Sequence, residues 1–418
     1  VTEPGRVLIV RGQEVASADS VTGGHRAARR MDGNTSCDGG AVLLTNRFLD
    51  FWLLGGASLL VWLVMWVLED YRSAWAIDSH FKNLGVTTVS LSLPVNNPHF
   101  LVSYKLAYAR GTGFVLTHWW QLVAVPALLV ALFAAAFVGF TAPTAAYLPF
   151  LPAVAGTLSS WGASTAALTT PQLGDFLFTL AFNAMFFTVG WHYTKQAFGC
   201  MMLYAHLDGY RLTPRQRGVL KWNLLSVSWV NLAYGSQQSG PLAFSHYTYY
   251  SIDLPDVLVP LSGAVVAGGL ALVLWSVFWR KYAEDGQRPT INMLVPFVAM
   301  YVWWMPFMRQ HEFYFLLIPL FHSLQYLVVA GKLEHARLRR SAHWELRATA
   351  VVAAVVAAGW LAFDFVPSTL DAWLGTFDAW RIFFFFTAAM LFINIHHYFI
   401  DNAIWRFRDP VVRQHLLA

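Results

Sequence analysis

Ten long apolar stretches, separated by short polar connections, decide what this chain can fold into. They lie near 48–68, 84–108, 115–140, 175–206, 222–238, 256–279, 291–308, 311–331, 347–366 and 380–404. Each is long enough to cross about 30 Å of hydrocarbon at ~1.5 Å per residue of helix. The fold class that follows is all-α, a polytopic transmembrane helical bundle of about ten spans. Only 12% of the residues are charged and 57% are hydrophobic, against roughly 25% charged in an ordinary soluble chain. A soluble globule could not keep so apolar a surface in water, so the principal partner is the lipid bilayer.

The basic residues sort the connections into two sets. One set carries Lys105 and Arg110; Arg211, Arg215, Arg217 and Lys221; Arg280, Lys281 and Arg288; Lys332, Arg337, Arg339, Arg340 and Arg347; and Arg406, Arg408 and Arg413. The other set, 141–174, 239–255 and 367–379, has no Lys or Arg. Basic loops stay in the cytoplasm, so both termini are expected there, the span number is even, and the expected location is a bacterial inner membrane. The net charge of +5 is spread over these short clusters and implies no nucleic-acid partner.

Residues 1–46 are polar and Gly-rich and are expected to form a disordered tail in which Met31 is a second candidate start; residues 47–418 read as one transmembrane domain. Pro94 and Pro98 flank Asn96 and Asn97 and should break or kink the second span. There is no internal repeat and no glycine pattern for a nucleotide. Two cysteines, Cys37 and Cys200, exclude a disulfide framework or a thiolate metal site.

Histidine carries the chemistry. Of fourteen, His99, His118, His192, His206, His311, His322, His396 and His397 fall inside the apolar stretches. The spans holding His99, His192, His322 and His396 all run from outside to inside and put these residues roughly 17–25 Å below the outer end, at one level. Four imidazoles at one depth on four helices suit an all-nitrogen metal site in a bundle, and neutral imidazole favours iron, copper or zinc. Each of the four can also serve as a structural polar residue bonded to a neighbouring helix. The repeated histidine boxes of membrane desaturases and the zincin His-Glu-x-x-His are absent. Tyr193, Gln196, Gln325 and Tyr326 adjoin the histidines and could hydrogen-bond a ring or a bound oxygen, or join helices together. Asp401 lies one turn after His397, whose face it shares, so these two read as a supporting polar pair with His396 as the metal ligand.

The strings Pro98-His99, Trp191-His192-Tyr193, Phe321-His322-Ser323 and His396 with Asp401 five positions later, followed by Ile404 and Arg406, occur in an order that resembles the Brp/Blh family of membrane β-carotene 15,15'-dioxygenases. The resemblance implies a non-haem Fe(II) held by His99, His192, His322 and His396, and an oxygenase that joins dioxygen to a long apolar, carotenoid-like or lipid substrate. Tyr193 and Tyr326 are then the candidate catalytic side chains, with His397, Asp401, Gln196 and Gln325 behind the ligands. This chain departs from the family in having Tyr326 where a second histidine is expected, in Phe100-Leu101-Val102-Ser103 after the first Pro-His, and in several more spans. Two other classes remain open: b-type haem between paired histidines, and transport through a midplane site that includes Glu312, Asp364 and Asp401.

Overall fold

The computed structural model describes residues 44–70, 94–237, 241–244, 247–308, 312–339, 341–375, 383–406, 409 and 416, all within one compact unit, Ala41–Ala418. The expected tail, apart from residues 44–46, and residues 84–93 of the second apolar stretch lie outside the described residues. Helices follow the apolar stretches in order: α1 Arg47–Leu68, α2 over 94–108, α3 Trp120–Gly139, α4 Leu173–Leu207, α5 Pro214–Gly235, α6 Leu258–Asp285, α7 Ile291–Trp304, α8 Glu312–Leu338, α9 Trp344–Leu374 and α10 Phe384–Ile404. Among the described residues α1, α3, α4, α6 and α9 are long and apolar enough to cross a membrane; the other helices are shorter or more polar. The protein is therefore an all-α integral membrane bundle. The apolar outward faces of α6 and α9 fit lipid rather than water: Leu261, Val265, Trp275, Val352 and Trp360 are all exposed.

The helix boundaries have local causes. Asn46 caps α1 by accepting from Leu49 N at 2.9 Å, and Thr213 caps α5 in a reciprocal box with Gln216. Pro94, Asn96, Asn97 and Pro98 all stand in helical conformation at the beginning of the described part of α2, so the chain is not broken between the two prolines. A two-stranded hairpin, β1 Pro241–Phe244 and β2 Tyr247–Tyr250, pairs Leu242 with Tyr249 and Phe244 with Tyr247. It stacks Tyr247 on Phe178 and Tyr249 on Phe182 of α4, at centroid distances of 4.9 and 4.7 Å.

The 35-residue α4 packs against α3, α5, α7 and α10. Close approach to α5 depends on Gly190, where a Cβ would meet Ser228 Cβ at 2.7 Å. Among the described residues four helices contain a π-helical segment: Trp52–Gly56 in α1, Trp120–Ala124 in α3, Leu274–Trp279 in α6 and Leu361–Phe365 in α9. Such a segment disturbs the regular backbone ladder and leaves carbonyls in need of other donors. Gln325 of α8 donates to Leu54 O in the first of them, and His396 of α10 to Gln121 O, at 3.1 Å, in the second.

Candidate metal centre

His99 on α2, His192 on α4, His322 on α8 and His397 on α10 converge in the bundle interior, all buried, with one ring nitrogen of each within 4.8 Å of the others. The Nε2 atoms of His99 and His397 are 3.1 Å apart and those of His192 and His322 are 3.0 Å apart. With metal–nitrogen bonds of about 2.0–2.1 Å, four nitrogens around one ion stand about 2.9–3.4 Å from their neighbours and up to about 4.1 Å when opposite. Slight contraction of the widest pair brings the observed set into that range. These four side chains can hold one metal ion.

Of the four expected ligands the structure brings His99, His192 and His322 together, and it places His397 beside them in the position expected of His396. His396 points away from the cluster. Its Nε2 lies 3.1 Å from Gln121 O and its Nδ1 2.8 Å from Tyr104 OH, so one nitrogen donates and the other accepts, and neither keeps a lone pair for a metal. Neighbours on a helix point about 100° apart, and it is His397 that faces inward. The role expected of Asp401 shifts as well. Its Oδ2 lies 3.4 Å from His397 Nε2 and 3.8 Å from His192 Nε2, on the side where the four nitrogens meet rather than behind a ring. Its Oδ1 accepts from Ser103 Oγ at 2.9 Å and Tyr326 OH at 3.2 Å.

The surrounding side chains hold the rings in place. His99 Nδ1 lies 2.6 Å from Asn96 O and 2.9 Å from Ser323 Oγ; donation to the carbonyl turns the lone pair of Nε2 toward the cluster. Tyr193 lies flat on His322, centroids 3.8 Å apart and planes at 14°, and Tyr398 on His192 at 4.6 Å. Gln196 Nε2 donates to His322 O at 2.8 Å and to Gln325 Oε1 at 3.1 Å. Gln196 and Gln325 thus join α4, α8 and α1 beside the site and leave the rings untouched. The Nδ1 atoms of His322 and His397 are buried without a partner among the described residues, a departure from the usual second hydrogen bond of a metal-bound imidazole. Of the other intramembrane candidates, His118 contacts its own helical turn through Phe114 O at 3.1 Å, His206 is exposed, and His311 lies outside the described residues.

A cavity with about 750 Å³ of empty space, including its open side, adjoins the cluster toward the C-terminal ends of α4, α8 and α10. His192, Tyr326 and Asp401 line it as well as the cluster, Trp191, Leu203 and Trp405 form apolar wall, and Lys195 and Asn402 contribute polar atoms. The sequence reading missed Ser103, Ser323, Lys195 and Tyr398. Helical spacing is the signal that could have found two of them: Ser103 stands four residues after His99 and Lys195 three after His192, on the same helix faces.

No protein-family model, no curated protein and no solved structure matches the chain.

Proposed function

We propose that the chain is an integral membrane, non-haem metal enzyme, an oxygenase in which His99, His192, His322 and His397 hold one Fe(II) and a long apolar substrate enters from the adjoining cavity. The observation that carries this reading is the convergence of four buried imidazole nitrogens within 4.8 Å, contributed by four different helices. An all-imidazole donor set suits iron, copper or zinc and disfavours magnesium or calcium. Haem fits the same residues poorly. Two axial nitrogens about 4 Å apart need a wide flat slot between them, and here the other two histidines and Asp401 occupy that plane.

When bound, the ion supplies the activation of dioxygen. The chain's own residues do the rest: the stacked rings of Tyr193 and Tyr398 keep water from the imidazoles, and Tyr326 and Ser103 orient the Asp401 carboxylate at the edge of the site. The cavity offers a largely apolar surface along which a polyene or lipid chain can lie with one segment beside the four nitrogens. Cleavage of a carbon–carbon double bond balances without a reductant, since the double bond breaks and each of its carbons takes one atom of the same dioxygen as a carbonyl.

The resemblance to the Brp/Blh dioxygenases supports this reading through the order of Pro98-His99, His192, His322-Ser323 and the His-Asp pair of α10, although the histidine in the cluster stands one position later than the family pattern implies. The same reading takes the ten apolar stretches as ten spans, with both termini on the cytoplasmic face of a bacterial inner membrane. The test is incubation of iron-loaded protein with ¹⁸O-labelled dioxygen and β-carotene or an unsaturated lipid. One labelled oxygen in each carbonyl product supports the proposal; a metal-loaded protein that consumes no oxygen with any such substrate overturns the oxygenase assignment while leaving the metal centre standing.

A further inference from the structure

Lys195 puts an ammonium group inside the bundle. It follows His192 by three residues on α4 and lines the same cavity. It stands well before the end of the 35-residue α4, on the cavity wall beside the histidine cluster. Its Nζ donates to Asn402 Oδ1 and rests 4.4 Å from the ring centroid of Trp191. Neither partner carries a negative charge. Among the described residues no carboxylate lies within ion-pairing distance of Lys195. Asp401 lines the same cavity, but its two oxygens are turned to Ser103, Tyr326 and the histidines. Lys221 and Arg406, both exposed, add positive charge around the same group, and Asp401 adds negative charge from beyond ion-pairing distance.

A charged side chain in a membrane interior persists where something compensates it, and it marks a ligand path by default. An ammonium has three donors; Asn402 takes one, and the rest are available to a ligand. The cavity wall is apolar over Trp191, Leu203, Val329 and Trp405, and Gln196, Gln325 and Asp401 add polar atoms nearer the histidines. We propose that this cavity binds a long-chain monocarboxylate, with the carboxylate on Lys195 and the hydrocarbon chain along the apolar wall. One ammonium balances one carboxylate, whereas a phospholipid would have to draw its whole zwitterionic or phosphate-bearing head below the membrane surface. This inference rests on the proposed reading of the site and narrows the substrate from any apolar chain to one that carries an acid. A carbon near the acid end then lies beside the histidine cluster, because Lys195 and His192 share one helix face.

Native mass spectrometry of the full chain, released from detergent after removal of metal by chelation, tests the proposal without recourse to activity. The probes are oleic acid and methyl oleate, which share the hydrocarbon chain and differ in charge. The wild-type protein should retain one oleate and prefer it to the ester by roughly 10- to 100-fold, the worth of a hydrogen bond to a charged group. Lys195→Met should bind both equally, and Lys195→Arg should keep the preference. Equal retention of acid and ester by the wild type, or an unchanged preference in Lys195→Met, overturns the proposal. The wild-type comparison stands even if a variant fails to fold. Failure of the metal reading shows separately, as absence of metal in the untreated protein.

Discussion

Gly190 lies two residues before His192, where α4 meets α5, and replacing it by alanine should disturb a metal site it does not touch. A Cβ at this position stands 2.7 Å from Ser228 Cβ and 3.2 Å from Ser228 Oγ. Non-bonded carbons rest about 3.5–4.0 Å apart, so the two helices must separate by about 1 Å. Two contributions to stability oppose each other: alanine gains about 1 kcal/mol of helix propensity, and overpacking costs about 1–3 kcal/mol. The net loss is up to about 2 kcal/mol. The site is affected more, because catalytic and metal constellations tolerate displacements of only about 0.5 Å. Metal affinity should fall on the order of 10- to 100-fold, as when a supporting contact of a ligand is lost. Chelator competition on purified protein, alongside thermal unfolding, measures both effects. Adding Ser228→Gly removes the obstructing Cβ and should restore the affinity, at about 0.5 kcal/mol of helix propensity. Wild-type affinity in Gly190→Ala, or no recovery in the double variant, would refute the reasoning that helix separation controls the site.

Three further outcomes are expected. Reporter fusions after Asp285 and after Asp253 should report cytoplasmic and external positions respectively, as the alternation of basic connections requires; the reverse at either site contradicts the topology. Asp401→Asn keeps the shape but removes the negative charge 3.4 Å from His397 Nε2, so bound metal should be retained with lowered affinity, read by the same chelator competition; unchanged affinity would mean that the carboxylate does not act on the metal. Gln325→Leu leaves Leu54 O without its donor and should lower stability by about 1–3 kcal/mol with metal stoichiometry preserved, measured by thermal unfolding and metal analysis together.

The class of the fold was legible because lipid leaves few options: apolar stretches of membrane length must be helices, and the helices lie where those stretches do. Height along the helices was legible too, since ~1.5 Å per residue converts sequence position into height along a bundle, and His99, His192 and His322 do meet. Rotation about the helix axis was not. His396 and His397 share a level and differ by about 100° in direction, and the resemblance favoured one where the packing of α10 turned the other inward. The spacing of His397 and Asp401 already placed both on one face, and that local signal identified the inward histidine better than the motif did. What it could not reveal was the use of His396, because that depends on the π-helical segment in α3, whose Gln121 carbonyl it meets. No residue pattern in Trp120–Ala124 announces such a segment. Lys195 was passed over because a lone lysine in an apolar stretch shows its significance only when its partners, Asn402 and Trp191, are seen to be uncharged.

Metal content of the purified protein, measured by inductively coupled plasma mass spectrometry on wild type, His397→Ala and His396→Ala and normalised to the folded fraction from size exclusion, tests the central claim most directly. The account predicts about one transition-metal ion per chain in the wild type and in His396→Ala, and close to none in His397→Ala, because the inward ring supplies one of four ligands and the other serves a carbonyl of α3. A metal-free wild type would contradict the centre itself, and metal lost from His396→Ala but kept by His397→Ala would contradict the geometry on which every other assignment depends.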